Sequence, residues 1–165
     1  MRRSAVLLIW VALMFVSVPA SAQKAAAVNF KFDFDNVITC SRPINLNNKE
    51  GSGHGSGVLH SDGTASFDLS LATSQIHFDQ RLGGGPSPAP FGTTRLNVVN
   101  RNQLRAVWSF PNNDIVMNFK VGPGSCQASG ASHLRGGARE HNTVILGQLA
   151  YCSQLRITRI SCTAF

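Results

Sequence analysis

VNFKFDFD, at residues 28–35, decides the fold class of this chain. Its apolar positions, one Val and three Phe, alternate strictly with polar or charged ones, and the pattern runs on towards Cys40. Successive side chains of a β-strand point to opposite faces. A period of two therefore predicts a strand with one aromatic face in a core and one polar face in solvent.

The same alternation recurs along the chain, and no window has the spacing of an amphipathic helix. Asp62-Gly63 separates two alternating runs, which is a strong hairpin signal. We expect a two-residue turn there, with Val58 opposite Phe67. That register directs the glycines of GSGHGSG (residues 51–57) to the opposite face, beside three polar residues, Ser66, Asp68 and Ser70. Further strands are predicted at residues 76–82, 93–99, 103–110, 115–121, 143–152 and 155–163.

Eight or nine such strands predict an all-β domain, either an antiparallel β-barrel or a β-sandwich. Two Gly-rich stretches, residues 83–92 and 122–142, have the composition of exposed loops. Residues 143–152 and 155–163 are expected to form a hairpin that turns at residues 153–154. Antiparallel pairing of the first strand with the last would close a barrel.

Residues 1–22 have the features of a cleavable signal peptide. Arg2 and Arg3 precede an apolar run of 14 residues, and Ala20-Ser-Ala22 fits signal peptidase. A membrane anchor is the alternative, but that run is shorter than the roughly 20 residues needed to cross a bilayer. We therefore expect residues 23–165 to form a single periplasmic or secreted all-β domain. No later stretch is apolar enough to span a membrane as a helix.

Charge is unevenly distributed along the expected mature chain. Residues 23–80 carry four Lys or Arg against six Asp or Glu, and residues 81–165 carry nine against two. Such asymmetry can mark a surface for an anionic partner, such as an anionic lipid or glycan of the cell envelope. The alternative is that basic residues only keep outward strand faces soluble. No nucleic acid partner is expected.

All four cysteines lie in the mature part, and an even count in an exported chain predicts two disulfides. In the expected antiparallel order, Cys126 and Cys162 fall at the same edge of the sheet. Cys152 falls at the other edge, too far from Cys162 for a bridge. The favoured pairing is therefore Cys126–Cys162 with Cys40–Cys152.

The chain has no recognisable catalytic, nucleotide-binding, metal-binding or cofactor motif. His77 and Asp79 are expected on the same face of one strand. They are either part of a metal site or, as the ordinary alternative, polar residues that pair with a neighbouring strand. His133 and His141 lie in or beside the predicted loop 122–142. Within that loop, two basic residues are the candidate ligand-binding residues, Arg135 and Arg139.

Three functions are compatible with these features. The favoured one is a non-catalytic binding module for an apolar or anionic envelope molecule. The second is a secreted enzyme whose His and Asp residues, among them His77, Asp79, His133 and His141, meet only in the fold. The third is a small outer-membrane β-barrel. Its expected terminal alternation is interrupted by Arg159, Ser161 and Thr163, and the chain has one Tyr where aromatic girdles are expected.

The signal-peptide hypothesis predicts that the exported protein begins at Gln23. N-terminal sequencing of protein recovered outside the cytoplasm measures this directly. A protein that retained Met1 would contradict the hypothesis.

Overall fold

A computed structural model describes residues 26–80 and 85–165. The predicted signal peptide at residues 1–22 lies outside the described residues. This part of the chain forms eleven strands and no helix. The strands are β1 (Val28–Arg42), β2 (Leu46–Leu59), β3 (Ala65–Leu71), β4 (Ser74–Asp79), β5 (Ser87–Ala89), β6 (Gly92–Asn100), β7 (Gln103–Ser109), β8 (Asn113–Gly122), β9 (Ser125–Leu134), β10 (His141–Ile145) and β11 (Gln148–Ala164).

The strands form two antiparallel sheets. The six-stranded sheet has the order β10-β11-β1-β2-β3-β4, and the five-stranded sheet has the order β5-β6-β7-β8-β9. One sheet is curved into a half-barrel and the other is flat. The all-β prediction and the pairing of β1 with β11 are confirmed. The predicted closure into a barrel is wrong, because each sheet has two edge strands that are not hydrogen-bonded to the other sheet. These edge strands are β10 and β4 in one sheet and β5 and β9 in the other.

The aromatic face predicted for β1 is the centre of the core. Phe30 and Phe32 are at most 1% exposed, and Phe67 of β3 and Phe119 of β8 pack against them. The ring centroids of Phe32 and Phe119 lie 4.8 Å apart. Because Phe119 belongs to the other sheet, this aromatic cluster holds the two sheets together.

Alternate glycines of β2 lie under the aromatic rings of β1. Gly57 pairs with Phe30, Gly55 with Phe32 and Gly53 with Phe34. A Cβ atom added at Gly53 would lie 2.5 Å from Phe34 Cζ, and one added at Gly57 would lie 2.6 Å from Phe30 Cζ. The rings therefore occupy the space that side chains on β2 would fill.

The predicted orientation of this glycine strip is wrong, and turn length explains why. Leu59 pairs with Ala65, so Phe67 lies opposite Gly57 rather than Val58. The His60 N–H donates to the Thr64 carbonyl at 2.8 Å, leaving three residues in the turn instead of two. Gly63 adopts a left-handed conformation, with φ of 86°, as such three-residue turns require. A shift of one residue reverses every side chain, so the glycines face the core.

Two predictions about the second half of the chain are also wrong. Much of the predicted loop 122–142 is β9, whose inward positions are small residues that allow close packing. A Cβ added at Gly130 would lie 2.8 Å from Ile157 Cδ1 of β11. The expected hairpin turn at residues 153–154 is absent, because β11 runs unbroken. The turn lies earlier, at Leu146-Gly147, where both residues have positive φ.

Both predicted cysteine pairs are bonded in the structure. Cys40 and Cys152 are in register between β1 and β11 and are almost fully buried. Cys126 of β9 is bonded to Cys162 of β11, which links the two sheets. The strand order from which these disulfides were predicted was partly wrong. Cys40 nevertheless lies beside Cys152, because the first strand is hydrogen-bonded to the last, as predicted.

Gly55→Ala should destabilise the protein by about 1–3 kcal/mol, the usual cost of overpacking a core. Its new Cβ would lie 2.5 Å from the backbone carbonyl oxygen of Asp68, which cannot move aside without disturbing β3. Urea unfolding monitored by circular dichroism measures the change. Gly85→Ala is the matched control, because no atom lies within 4 Å of its Cβ position. Equal urea midpoints for the two variants would contradict the proposed role of the glycine strip.

Candidate functional site

One end of the two-sheet core opens into a cleft of about 810 Å³. Three turns surround it, at residues 60–63, 101–102 and 122–124, together with the start of β1 and the end of the chain. Turns gathered at one end of a rigid pair of sheets are a common place for binding sites. A volume of several hundred cubic ångströms is typical of small-molecule pockets.

The lining of the cleft is mainly apolar. Its floor consists of buried aliphatic side chains that close the end of the core, Val28, Leu59 and Val121. Its walls include Ala27 and Phe165, and the Phe165 side chain is 64% exposed. Such an exposed aromatic residue gives an apolar ligand a surface to contact.

Charged groups lie at the mouth of the cleft. The Asp62 carboxylate accepts hydrogen bonds from the hydroxyl and backbone N–H of Thr64, at 2.7 and 2.9 Å. These two bonds lower the pKa of Asp62, so this carboxylate is ionised and engaged in its own turn. Arg101 is exposed on the neighbouring turn, and no carboxylate pairs with it in the described part of the chain. Arg101 is therefore the cation that could receive an anionic group at the mouth.

The predicted ligand-binding residues, Arg135 and Arg139, lie in the loop between β9 and β10, away from this cleft. Arg135 Nε donates to Asp114 Oδ2 at 3.0 Å, and its Nη2 contacts the other carboxylate oxygen. These hydrogen bonds lower the pKa of Asp114 and raise that of Arg135. The charge of Arg135 is thus compensated within the protein, whereas Arg139 is exposed.

The opposite end of the core is closed by a buried hydrogen-bond network. Asn113 and Asn142 are fully buried, and Asn113 Nδ2 donates to Ser132 Oγ at 3.0 Å and to the Asn142 carbonyl at 3.2 Å. Ser132 Oγ lies 2.8 Å from His141 Nδ1. Burial lowers the pKa of His141, which favours its neutral imidazole. Residues 111–114, Pro-Asn-Asn-Asp, fall between two strands predicted from the sequence, and nothing local to them shows that the Asn113 amide will be buried.

His77 and Asp79 lie on the outer face of β4. His77 Nδ1 is 2.7 Å from Asp68 of β3, and its Nε2 is 3.7 Å from Asp79. The two carboxylates approach different ring nitrogens, so the three groups do not converge on one point. Within residues 26–80 and 85–165, no group of three His, Cys, Asp or Glu side chains could hold a metal ion.

The residues named for an enzyme do not form one cluster. His77 and Asp79 are on β4, whereas His141 is on β10, at the other edge of the same sheet. His133 lies opposite Asp114 in the five-stranded sheet.

None of the described elements is a helix long and apolar enough to cross a membrane.

The class defined by this fold is a two-sheet antiparallel β protein with two disulfides. Its disulfides indicate an oxidising environment outside the cytoplasm. Comparison with protein-family models, curated proteins and solved structures finds no significant match to this chain.

Acidification should destabilise the protein through His141. Because its folded-state pKa is below the ordinary value of 6.5, the folded protein binds fewer protons than the unfolded chain between those two values. The free energy of unfolding should therefore fall as the pH drops below about 6.5. Urea midpoints measured between neutral and mildly acidic pH should show a smaller fall in His141→Gln. The exposed His54 provides the control: His54→Gln should keep the wild-type slope, and equal slopes in all three proteins would contradict the prediction.

Proposed function

We propose that this protein is a periplasmic or secreted binding module that holds a single-chain amphiphile in the cleft at the end of its core. The hydrocarbon part would lie against the apolar floor and Phe165. The anionic head would lie at the mouth, beside Arg101. The observation that carries this proposal is an open apolar cleft with a cation at its rim that has no carboxylate partner among the described residues.

An apolar ligand is favoured by the chemistry of the floor and walls. Burying hydrocarbon stabilises a complex by roughly 25 cal/mol for each square ångström removed from water. The side chains of Val28, Leu59 and Val121 offer no hydrogen bonds, so a polar ligand would lose its water there without compensation. The cleft therefore favours a hydrocarbon chain over a sugar.

An anionic head is favoured by Arg101. A guanidinium group offers several donors in a fixed planar arrangement that matches a carboxylate or phosphate. Asp62, whose side-chain carboxylate also lies in the described lining of the cleft, accepts two hydrogen bonds from Thr64 and forms no ion pair with Arg101. Arg101 is therefore available to an incoming anion.

Catalysis is less well supported than binding. The Ser132–His141 pair could in principle activate a nucleophile, but Asn113 also donates to the Ser132 hydroxyl, and the network closes the end of the core. Neither residue lines the cleft. The pair is best explained as part of the hydrogen bonding that satisfies buried asparagines.

Binding should be tested with the mature protein, beginning at Gln23, and a dansylated undecanoic acid whose fluorescence rises on transfer to an apolar site. We expect saturable binding with one ligand for each chain. Arg101→Ala should weaken it by about 1 kcal/mol, or roughly fivefold, because one charge-assisted contact at an exposed rim is lost. The methyl ester of the probe should bind both proteins equally.

Ala27→Trp tests the place of binding, because an indole ring at this wall would fill part of the cleft. It should abolish the fluorescence change. Ala72→Trp introduces the same ring in the exposed turn between β3 and β4, outside the cleft, and should leave binding unchanged. Loss of binding in both variants, or no saturable binding by the unmodified protein, would overturn the proposal.

A further inference from the structure

The outer face of the five-stranded sheet carries three exposed cations on three adjacent strands. Arg95 lies on β6, Arg105 on β7 and Lys120 on β8. Their positions alternate with buried core residues, so all three side chains point to the face that the other sheet does not cover.

The register places these cations in one straight row. Asn97, two residues after Arg95 on β6, is directly opposite Arg105. Gln103, two residues before Arg105 on β7, is directly opposite Lys120. Because neighbouring strands are antiparallel, both shifts have the same direction, and the three cations form a diagonal row across the sheet. Diagonal neighbours in an antiparallel sheet are about 7–8 Å apart. The row thus extends about 15 Å, further than one small anion can contact.

A shallow trough of about 700 Å³ runs beside Arg105 and Lys120. Besides the two cations, the side chains that line it with hydrogen-bonding groups are three amides, one hydroxyl and one imidazole, those of Gln103, Asn118, Gln127, Ser129 and His133. Asp114 is the acidic residue of this face in the described part of the chain, and it is held by Arg135 at the start of β8. Among the described residues, none that lines the trough carries a carboxylate.

The opposite surface of the molecule has the contrary charge. The outer face of the six-stranded sheet presents several carboxylates, among them those of Asp33, Asp35, Asp68 and Asp79. Lys31 on the same face of β1, together with Arg159 and His77, partly compensates them. The charge asymmetry of the sequence is therefore also an asymmetry in space, and it would orient the protein on an approaching polyanion.

We infer that the row of Arg95, Arg105 and Lys120 is a binding surface for a linear acidic polysaccharide, separate from the cleft. A line of cations fits successive charges on a polymer, and the surrounding amides and hydroxyl fit sugar hydroxyl groups. The Phe, Tyr and Trp residues of the described strands of this sheet are Trp108 and Phe119, and both are buried in the core, so these strands expose none of the large aromatic rings on which nucleic acid bases usually stack. Val99 is its exposed large aliphatic side chain, too little apolar surface to insert into lipid.

Polygalacturonate is a suitable probe, and its binding to the mature protein can be measured by calorimetry or biolayer interferometry. The triple variant Arg95→Ala, Arg105→Ala, Lys120→Ala should bind at least tenfold more weakly. A matched triple variant, Lys49→Ala, Arg139→Ala, Arg156→Ala, loses the same net charge from other exposed positions and should bind like the unmodified protein. Raising the salt from about 50 to 200 mM should weaken binding by about twentyfold, as the counterion-release relation gives for some three neutralised charges on a flexible polyanion.

Equal loss in both triple variants would overturn the inference, because it would show attraction to net charge alone. Binding to neutral dextran as strong as to polygalacturonate would do the same. Equal or stronger binding to phosphatidylglycerol vesicles or to single-stranded DNA would contradict the assignment to a polysaccharide. Arg101→Ala should keep polygalacturonate binding, and the first triple variant should keep dansylated fatty acid binding. The two sites can therefore fail independently, and the second readout also shows that the variant is folded.

Discussion

The packing of three phenylalanine rings of β1 onto three glycines of β2 is the constraint on which this structure depends. Each ring occupies the volume that a side chain on the neighbouring strand would take. A strip without side chains is weak by itself, because it buries little and is flexible in the unfolded chain. Here the rings cover the strip, and two of them, those of Phe30 and Phe32, also contact the rings of Phe67 and Phe119. A single arrangement thus fixes the register of β1 on β2 and the separation of the two sheets.

One disulfide lies in a part of the fold that this aromatic cluster does not reach, and the other borders the main core. Cys40–Cys152 lies in a second, smaller core formed with Ile38, Ala150 and Leu155. Cys126–Cys162 joins the edge strand of one sheet to β11 of the other. Each bridge connects residues far apart in sequence, and such bridges can stabilise a protein by a few kcal/mol through their effect on the unfolded chain. Cys126–Cys162 thus ties an edge strand of the five-stranded sheet to the six-stranded sheet, whereas Cys40–Cys152 joins two strands that are already hydrogen-bonded to each other.

The two ends of the core differ in how they are closed, and the open end is the one at which we propose that an amphiphile binds. At one end, the buried Asn113 and Asn142 hydrogen-bond to each other and close the core. At the other end, aliphatic side chains meet a ring of short turns, and an apolar cleft remains open. The trough on the outer face of the five-stranded sheet shares no lining residue with the cleft. The proposed amphiphile and the proposed polysaccharide would therefore not compete for the same residues.

The sequence by itself determined the all-β class and the aromatic face of β1, because alternation with a period of two does not depend on the details of turns. It also led to both cysteine pairs, but the hairpin from which Cys126–Cys162 was predicted is absent from the structure. The sequence also showed that residues 81–165 are much more basic than residues 23–80. The orientation of the glycine strip, the existence of β9 and the length of β11 were decided only by tertiary structure. One extra residue in the turn at residues 60–64 reverses a strand face, and the small residues of β9 form a strand because β11 packs closely against them. The cleft and the row of cations were likewise beyond sequence reasoning, since each is assembled from separate strands or turns whose register is set by non-local contacts.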